Sequence, residues 1–183
     1  MAIEKWTTKQ RKVIFEHPRI TLLEDVVSLP DGTTMTYLRT APSTADSVAV
    51  IAINEKGELL IQREYSYPPD EIMWQLPGGG MEPGEDIVTA AKRELSEESG
   101  YSAQHCHIIG AYHTANRLSN QKQHVVVCTG LIERKAQADL GEFIENHWLS
   151  KAAVDRKIAK GEVTNMNMLA ALNLWEHISD MDG

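Results

Sequence analysis

Six glycines and prolines fall within the eight positions from Pro77 to Gly84, and a helix-forming run follows almost at once. Such a segment is bent, and its backbone amides and carbonyls are bare. From Asp86 to Glu98 the spacing is helical, with Ile87, Ala90, Ala91 and Leu95 on one face and Gly100 as the stop. Glu94, Glu97 and Glu98 are related by i, i+3 and i+4, so they occupy one arc of that helix roughly 100° wide. Three like charges on one arc repel, by a few tenths of a kcal/mol per pair in an isolated helix. A solvated acidic face is one reading of them. A seat for a hard divalent cation is the other, because carboxylate oxygens at this spacing suit a cation shared with substrate phosphates. The glycine loop favours the second, since it brings backbone groups to the start of the helix, where a cation and a diphosphate can sit together. No Gly-Lys-Ser/Thr follows, so the loop is not a P-loop.

The rest of the composition narrows the class. A chain of 183 residues with 42% hydrophobic and 24% charged residues can bury a core of its own. It carries 18 Lys and Arg against 26 Asp and Glu, a net charge of −8, which argues against nucleic acid and against an anionic membrane surface as partners. Cys106 and Cys128 are too few for a disulfide framework, and His105-Cys106-His107 reads as strand residues rather than a zinc site. Met1 to Phe15 has no apolar core of the kind a signal peptide needs, and no apolar run approaches a membrane span. These features lead us to expect a soluble protein of a reducing compartment, the cytoplasm.

No repeat, low-complexity stretch or linker divides the sequence, and a single domain over residues 1–183 is expected. Pro18 to Thr40 reads as two strands around Leu29-Pro30-Asp31-Gly32. Ser47 to Asn54 is apolar on both faces, as a central strand would be, and Glu58 to Glu64 looks like its hairpin partner. Trp74-Gln75-Leu76 is a brief extended piece. Ala103 to Thr114 and Gln123 to Glu133 read as strands around a polar loop. Ser150 caps a helix running to Lys160, and a last helix covers about Asn165 to Ile178. Strands, one enclosed helix, strands and two helices make a mixed α+β chain.

Gly79, Glu85, Arg93, Glu94, Leu95, Glu97, Glu98, Gly100 and Tyr101 match the Nudix box, G-x5-E-x7-R-E-U-x-E-E-x-G-U, over 23 residues. Tyr101 takes the last apolar place, a departure because its ring carries a hydroxyl. From about Thr21 to Trp175 the chain resembles the ADP-ribose pyrophosphatase and nucleoside diphosphate sugar hydrolase branch of the Nudix hydrolases. The further pieces that carry this likeness are Leu29-Pro30-Asp31-Gly32, Glu58 to Tyr65 leading into Leu76-Pro77-Gly78-Gly79, and Gly161 to Asn165. The resemblance implies an α/β/α sandwich, with a mixed sheet and an antiparallel sheet between helices. It also implies a homodimer that exchanges its N-terminal strands, about residues 18–40, and a Mg²⁺ cofactor that Mn²⁺ can replace. Glu94, Glu98 and the Gly78 carbonyl are the implied metal ligands, with Glu97 as a further ligand or partner. Gly79, Glu85 and Gly100 are the structural members of the motif, and Arg93 and Glu85 its orienting pair. The branch draws its general base from a late acidic loop, here Leu140 to Glu145, which makes Glu142 the favoured base and Glu145 the reserve.

Arg63, Tyr65, Tyr67 and Arg117 are the candidates for substrate contact, with Lys122 as a second phosphate partner and Trp74 as a further aromatic. The branch often has Gln-Tyr-Arg where this chain has Arg63-Glu64-Tyr65. The ADP-ribose subgroup tends to carry a proline in the loop after its box, where Asn116 and Arg117 stand here. These departures fit a broader hydrolase of nucleoside diphosphate sugars, ADP-ribose, GDP-mannose or similar. The alternatives are a house-cleaning hydrolase of nucleoside triphosphates and a non-catalytic module that senses nucleotide sugars.

Overall fold

The computed structural model describes residues 3–41, 46–134 and 143–179. These form two compact units, one of residues 3–41 with 113–121 and one of the remainder. In the first, β1 (Thr7–His17), β2 (Ile20–Ser28) and β3 (Thr34–Thr40) form an antiparallel sheet in the order β1-β2-β3. The turn between β2 and β3 is the expected one. Thr33 donates to the Asp31 carboxylate at 2.9 Å, and Gly32 takes a φ of 86° that other residues resist. Strand β1 was not foreseen: its sequence, TTKQRKVIFEH, has no alternation, and it is exposed along its whole length. An antiparallel ladder with β2, from Thr7 opposite Ser28 to His17 opposite Ile20, holds it, and ion pairs add to that ladder. Asp25 on β2 is buried between Arg11 of β1 at 2.8 Å and Arg39 of β3 at 2.8 Å. The two guanidiniums, Arg11 first, hold its carboxyl below the ordinary carboxylate range.

The second unit contains β4 (Ser47–Ala52), β5 (Glu58–Ser66), β6 (Glu71–Gln75), α1 (Ile87–Ser99), β7 (Tyr101–His113), β8 (Lys122–Glu133), β9 (Ile144–Ser150), α2 (Lys151–Ala159) and α3 (Met166–Ser179). One sheet runs β4-β8-β7, with β4 and β8 parallel. The other runs β6-β5-β9 and is antiparallel. Alternation along the apolar strands sorts the core into two layers. Ala49, Ile51, Leu59, Ile61 and Val125 pack with Val154 of α2 and Met168, Ala171 and Leu172 of α3. Val50, Ala52, Leu60, Val126 and Cys128 pack with Ala91 and Leu95 of α1. Helices therefore cover both faces of the apolar strands, as the α/β/α expectation requires. This is why β4 reads as an unbroken apolar run.

The expected hairpin of β4 and β5 does not form. They share one bridge, Ile53 to Leu59, around the turn at Asn54 to Gly57, and then part into different sheets. Both strands are buried on both faces, so each can take its partners from elsewhere in the chain. The hairpin is instead β5 with β6, across Tyr67 to Asp70. Strand β9 was also unforeseen, because IENHWLS mixes polar and apolar residues without a period. Among the described residues no helix is long and apolar enough to cross a membrane.

Candidate active site

Helix α1 begins and ends where its sequence dictates. The Asp86 carboxylate accepts hydrogen bonds from the amides of Val88 and Thr89, both at 3.1 Å, and Gly100 closes the helix with a left-handed φ of 74°. Its apolar face packs under the sheet, and that contact turns Glu94 and Glu98 inward to 9% and 8% exposure.

The glycine loop runs alongside β4. Val50 donates to the Pro77 carbonyl at 2.8 Å, Val48 to that of Gly79 at 2.9 Å, and Met81 to that of Asp46 at 2.9 Å. The Gly78 amide donates to Glu98 Oε2 at 3.0 Å, which ties the loop to the helix. Backbone bars a side chain at Gly78, and the end of the Glu94 side chain crowds one at Gly79. A Cβ on Gly78 would lie 2.1 Å from the Val48 carbonyl oxygen, at a φ of 147°. A Cβ on Gly79 would lie 2.7 Å from Glu94 Oε1.

Arg93 gathers the acidic groups. Its Nε and Nη2 hold the two oxygens of Glu85 at 3.0 and 3.1 Å. Its Nη1 donates to Glu94 at 2.9 Å and to Glu97 at 3.0 Å, and Nη2 also donates to the Gly80 carbonyl at 2.9 Å. The Glu85 carboxyl is drawn below its ordinary range, chiefly by Arg93 and also by the Glu82 amide. The motif residues Gly78, Gly79, Glu85, Arg93, Glu94, Glu97, Glu98 and Gly100 are thus gathered on one loop and one helix.

Glu85, Glu94 and Glu97 thus bond to the Arg93 guanidinium and Glu98 to the Gly78 amide, and Glu94 and Glu98 are almost shut off from water. Among the described residues no three His, Cys, Asp or Glu side chains converge as a ready-made cation cage. Chemically the donors nonetheless suit a hard divalent cation. They are buried carboxylate oxygens beside backbone carbonyls, with negative charge in excess.

The other expected residues are spread more widely. Arg63 on β5 stands 3.4 Å from Glu145 on β9 and lies over the Trp74 ring at 5.3 Å. Trp74 also meets His147 edge-on at 5.2 Å and packs against the core on the side of α2 and α3. Glu145 has a second neighbour in His147, whose Nε2 is 3.5 Å away, near but without hydrogen-bond geometry. The Tyr65 hydroxyl donates to Asp70 at 2.9 Å, which raises its pKa, and Tyr67 is 81% exposed. Arg117 belongs to the other unit. There it lines a cleft of about 350 Å³ with Tyr37, Arg39 and Asn120, and its carbonyl accepts from the Tyr37 hydroxyl at 2.8 Å. Lys122 is exposed at the start of β8. Glu142 lies outside the described residues.

Sequence reasoning passed over two polar groups near the motif. Gln62, fully buried on β5, donates to Asn146 at 3.1 Å, and Asn146 donates to the Glu98 carbonyl at 3.2 Å, so β5 and β9 hold the end of α1. Gln75 is hydrogen-bonded to Glu64 across the β5–β6 pair. A glutamine inside the apolar run Leu59-Leu60-Ile61-Gln62 was the available signal for the first.

The NUDIX domain profile matches residues 43–172. The chain is 31% identical over 144 residues to an ADP-ribose pyrophosphatase of Bacillus subtilis (strain 168), covering 78% of this chain and 76% of that protein. It is 30% identical over 135 residues to a methanol dehydrogenase activator of Bacillus methanolicus, covering 74% and 72%. Among solved structures, that of an ADP compounds hydrolase superposes with a TM-score of 0.91 at 21% identity, covering 100% of this chain and 98% of the other.

Proposed function

The chain belongs to the NUDIX family, and on that premise we propose that it splits the diphosphate of a nucleoside diphosphate sugar into a nucleoside monophosphate and a sugar phosphate. The observation that carries this reading is the cluster on α1. Buried Glu94 and Glu98 lie against Gly78 and Gly79, with Arg93 joining Glu85, Glu94 and Glu97. The similarity to an ADP-ribose pyrophosphatase supports ADP-ribose as one substrate, and GDP-mannose and similar compounds extend the class.

The reaction is attack of water on one diphosphate phosphorus, with cleavage of its bond to the bridging oxygen. Little covalent work falls to a protein in phosphoryl transfer, so positioning and neutralisation of charge dominate. Glu94, Glu98, Glu97 and the Gly78 carbonyl would hold a divalent cation, Mg²⁺ or Mn²⁺, which when bound neutralises phosphoryl oxygens and acidifies water. Arg93 orients Glu97 and Glu94, and its grip on the Gly80 carbonyl keeps the loop in register with the helix. Glu142 is the proposed general base, taking the proton of the attacking water. Glu145 is second choice because it already engages Arg63. Arg63, Tyr65 and Tyr67 are proposed to contact the substrate. A second copy of the chain is the proposed partner of the N-terminal sheet, whose Val13, Phe15 and Leu38 are each at least half exposed.

The test is a panel of nucleoside diphosphate sugars and nucleoside triphosphates with Mg²⁺, products read by phosphorus NMR. A nucleoside monophosphate with a sugar phosphate is the expected outcome. Release of pyrophosphate from triphosphates alone would move the function to the house-cleaning class. Tight binding of nucleotide sugars without turnover would make the protein a sensing module.

A further inference from the structure

We propose that Asp46 and His124 form a positioning pair that sets the register of the glycine loop. Three consecutive glycines lose more conformational freedom on ordering than any other residues would, so the loop needs anchors outside itself. Its ladder to β4 ends at Asp46, whose backbone carbonyl takes the Met81 amide at 2.9 Å, beyond the Ser47–Gly80 bridge. The same residue's carboxylate is fixed to β8. Oδ1 accepts from the Lys122 amide at 3.0 Å, and Oδ2 meets His124 Nε2 at 2.9 Å. Asp46 is therefore a bracket, with its main chain on the loop and its side chain on β8. His124 is the side chain that locks it, with only 17% of its own surface exposed.

The consequence reaches the acidic cluster through hydrogen bonds already described. Gly80, bridged to Ser47, offers its carbonyl to Arg93, and Gly78 offers its amide to Glu98. A loop that slides along β4 changes both contacts. Neither Asp46 nor His124 is placed in the cluster itself, so their effect on turnover passes through the loop.

The experiment compares D46A, H124A and the conservative variants D46N and H124Q. Asn keeps an acceptor for Lys122 and a hydrogen bond to the ring, and Gln keeps a donor to Asp46. The first readout is amide hydrogen exchange over residues 78–81, with Ala91 and Leu95 of α1 as internal controls. The second is kcat and KM for whichever nucleoside diphosphate sugar the wild type cleaves, and this arm alone rests on the proposed function. In D46A and H124A, exchange in the loop should speed up about tenfold, the scale of one lost hydrogen bond. The controls should not move, kcat should fall by a similar factor, and KM should stay near the wild-type value. D46N and H124Q should restore both readouts. Unchanged loop exchange in both alanine variants would overturn the proposal, and so would faster exchange with undiminished kcat. If the wild type cleaves none of the substrates, the proposed function fails while the exchange result still decides whether the pair holds the loop.

Discussion

Replacing Arg93 with Ala removes the guanidinium that joins Glu85, Glu94 and Glu97, and its cost follows from the contacts. Arg93 is 25% exposed at its side chain, Glu85 9% and Glu94 11%, so this is a largely buried network rather than a surface pair. Taking one partner from a buried ion pair costs about 3–5 kcal/mol, because the remaining charge is left in a poor solvent. The contact to Glu97, whose side chain is 41% exposed, adds at most about 1 kcal/mol. Glu85 keeps the amide of Glu82 at 2.9 Å, and solvent reaches a quarter of the guanidinium, so the lower end applies, about 3 kcal/mol in all. For a chain of this size that is a fall in Tm of about 10 °C. Urea unfolding at pH 7 in EDTA measures it without a cation to take the place of the guanidinium. Lys at position 93 keeps the charge but not the fork, and should recover only part of the loss. The pH dependence gives an independent check. Glu85 has a lowered pKa in the folded state, so its contribution is complete above the ordinary carboxylate value of about 4.3 and is lost as pH falls through the folded value. The gap between wild type and R93A should therefore narrow below about pH 4. A gap under about 1 kcal/mol at pH 7, or one that does not shrink in acid, would refute the reasoning.

Gly79→Ala pushes a methyl group against the Glu94 carboxylate, which can turn aside, so turnover should fall by about 100-fold or more while circular dichroism and Tm stay close to wild type. Gly78→Ala meets backbone instead, and the soluble folded yield of that variant should collapse. Glu98→Gln should lower kcat by about two orders of magnitude or more with the fold intact, since the amide oxygen can still accept from Gly78. Wild-type turnover in that variant would remove Glu98 from the site. Glu142→Gln should be slow and Glu145→Gln nearly normal, and the reverse order would transfer the base to Glu145. Asp25→Asn should destabilise the N-terminal sheet most clearly above pH 5 and least near pH 3, because the lowered pKa of Asp25 makes its contribution one that acid removes. Unfolding curves at the two pH values would show it.

The sequence made the grouping of the acidic residues legible and left much of the scaffolding hidden, for physical reasons. Asp86, Gly100 and the apolar stripe of α1 act within a few residues of one another, so caps and period could be read directly. Glu94, Glu97 and Glu98 share an arc by helix geometry alone. Strand β1 obeys no such local rule. It is held by its antiparallel ladder with β2, in which Arg11 stands opposite Asp25, and its own residues carry no period that announces that pairing. The partners of β4 and β5 were misread for a related reason. A strand buried on both faces carries no mark of which neighbour it will take, and the short turn at Asn54 to Gly57 suggested the wrong one. Glu145 was placed in an acidic loop, yet it belongs to β9 and pairs with Arg63, because β5 and β9 meet across more than eighty residues of sequence.

The inward turn of Glu94 and Glu98 is the point at which fold and chemistry meet. Leu95 is fully buried against the sheet, and on a helix its neighbours at 94 and 98 flank the same contact line. The apolar packing that stabilises α1 thus forces two carboxylates out of water, a cost that only hydrogen bonds and positive charge can offset. Arg93 and the Gly78 amide supply part of that compensation. Glu85, Glu94, Glu97 and Glu98 crowd this loop and helix, so a cation should bind with a gain in stability as well as supporting turnover. Adding Mg²⁺ to the EDTA-treated protein should raise Tm for the wild type and much less for E98Q. An equal rise in both would place the cation elsewhere on the acidic surface and separate the burial of these glutamates from any role in holding it.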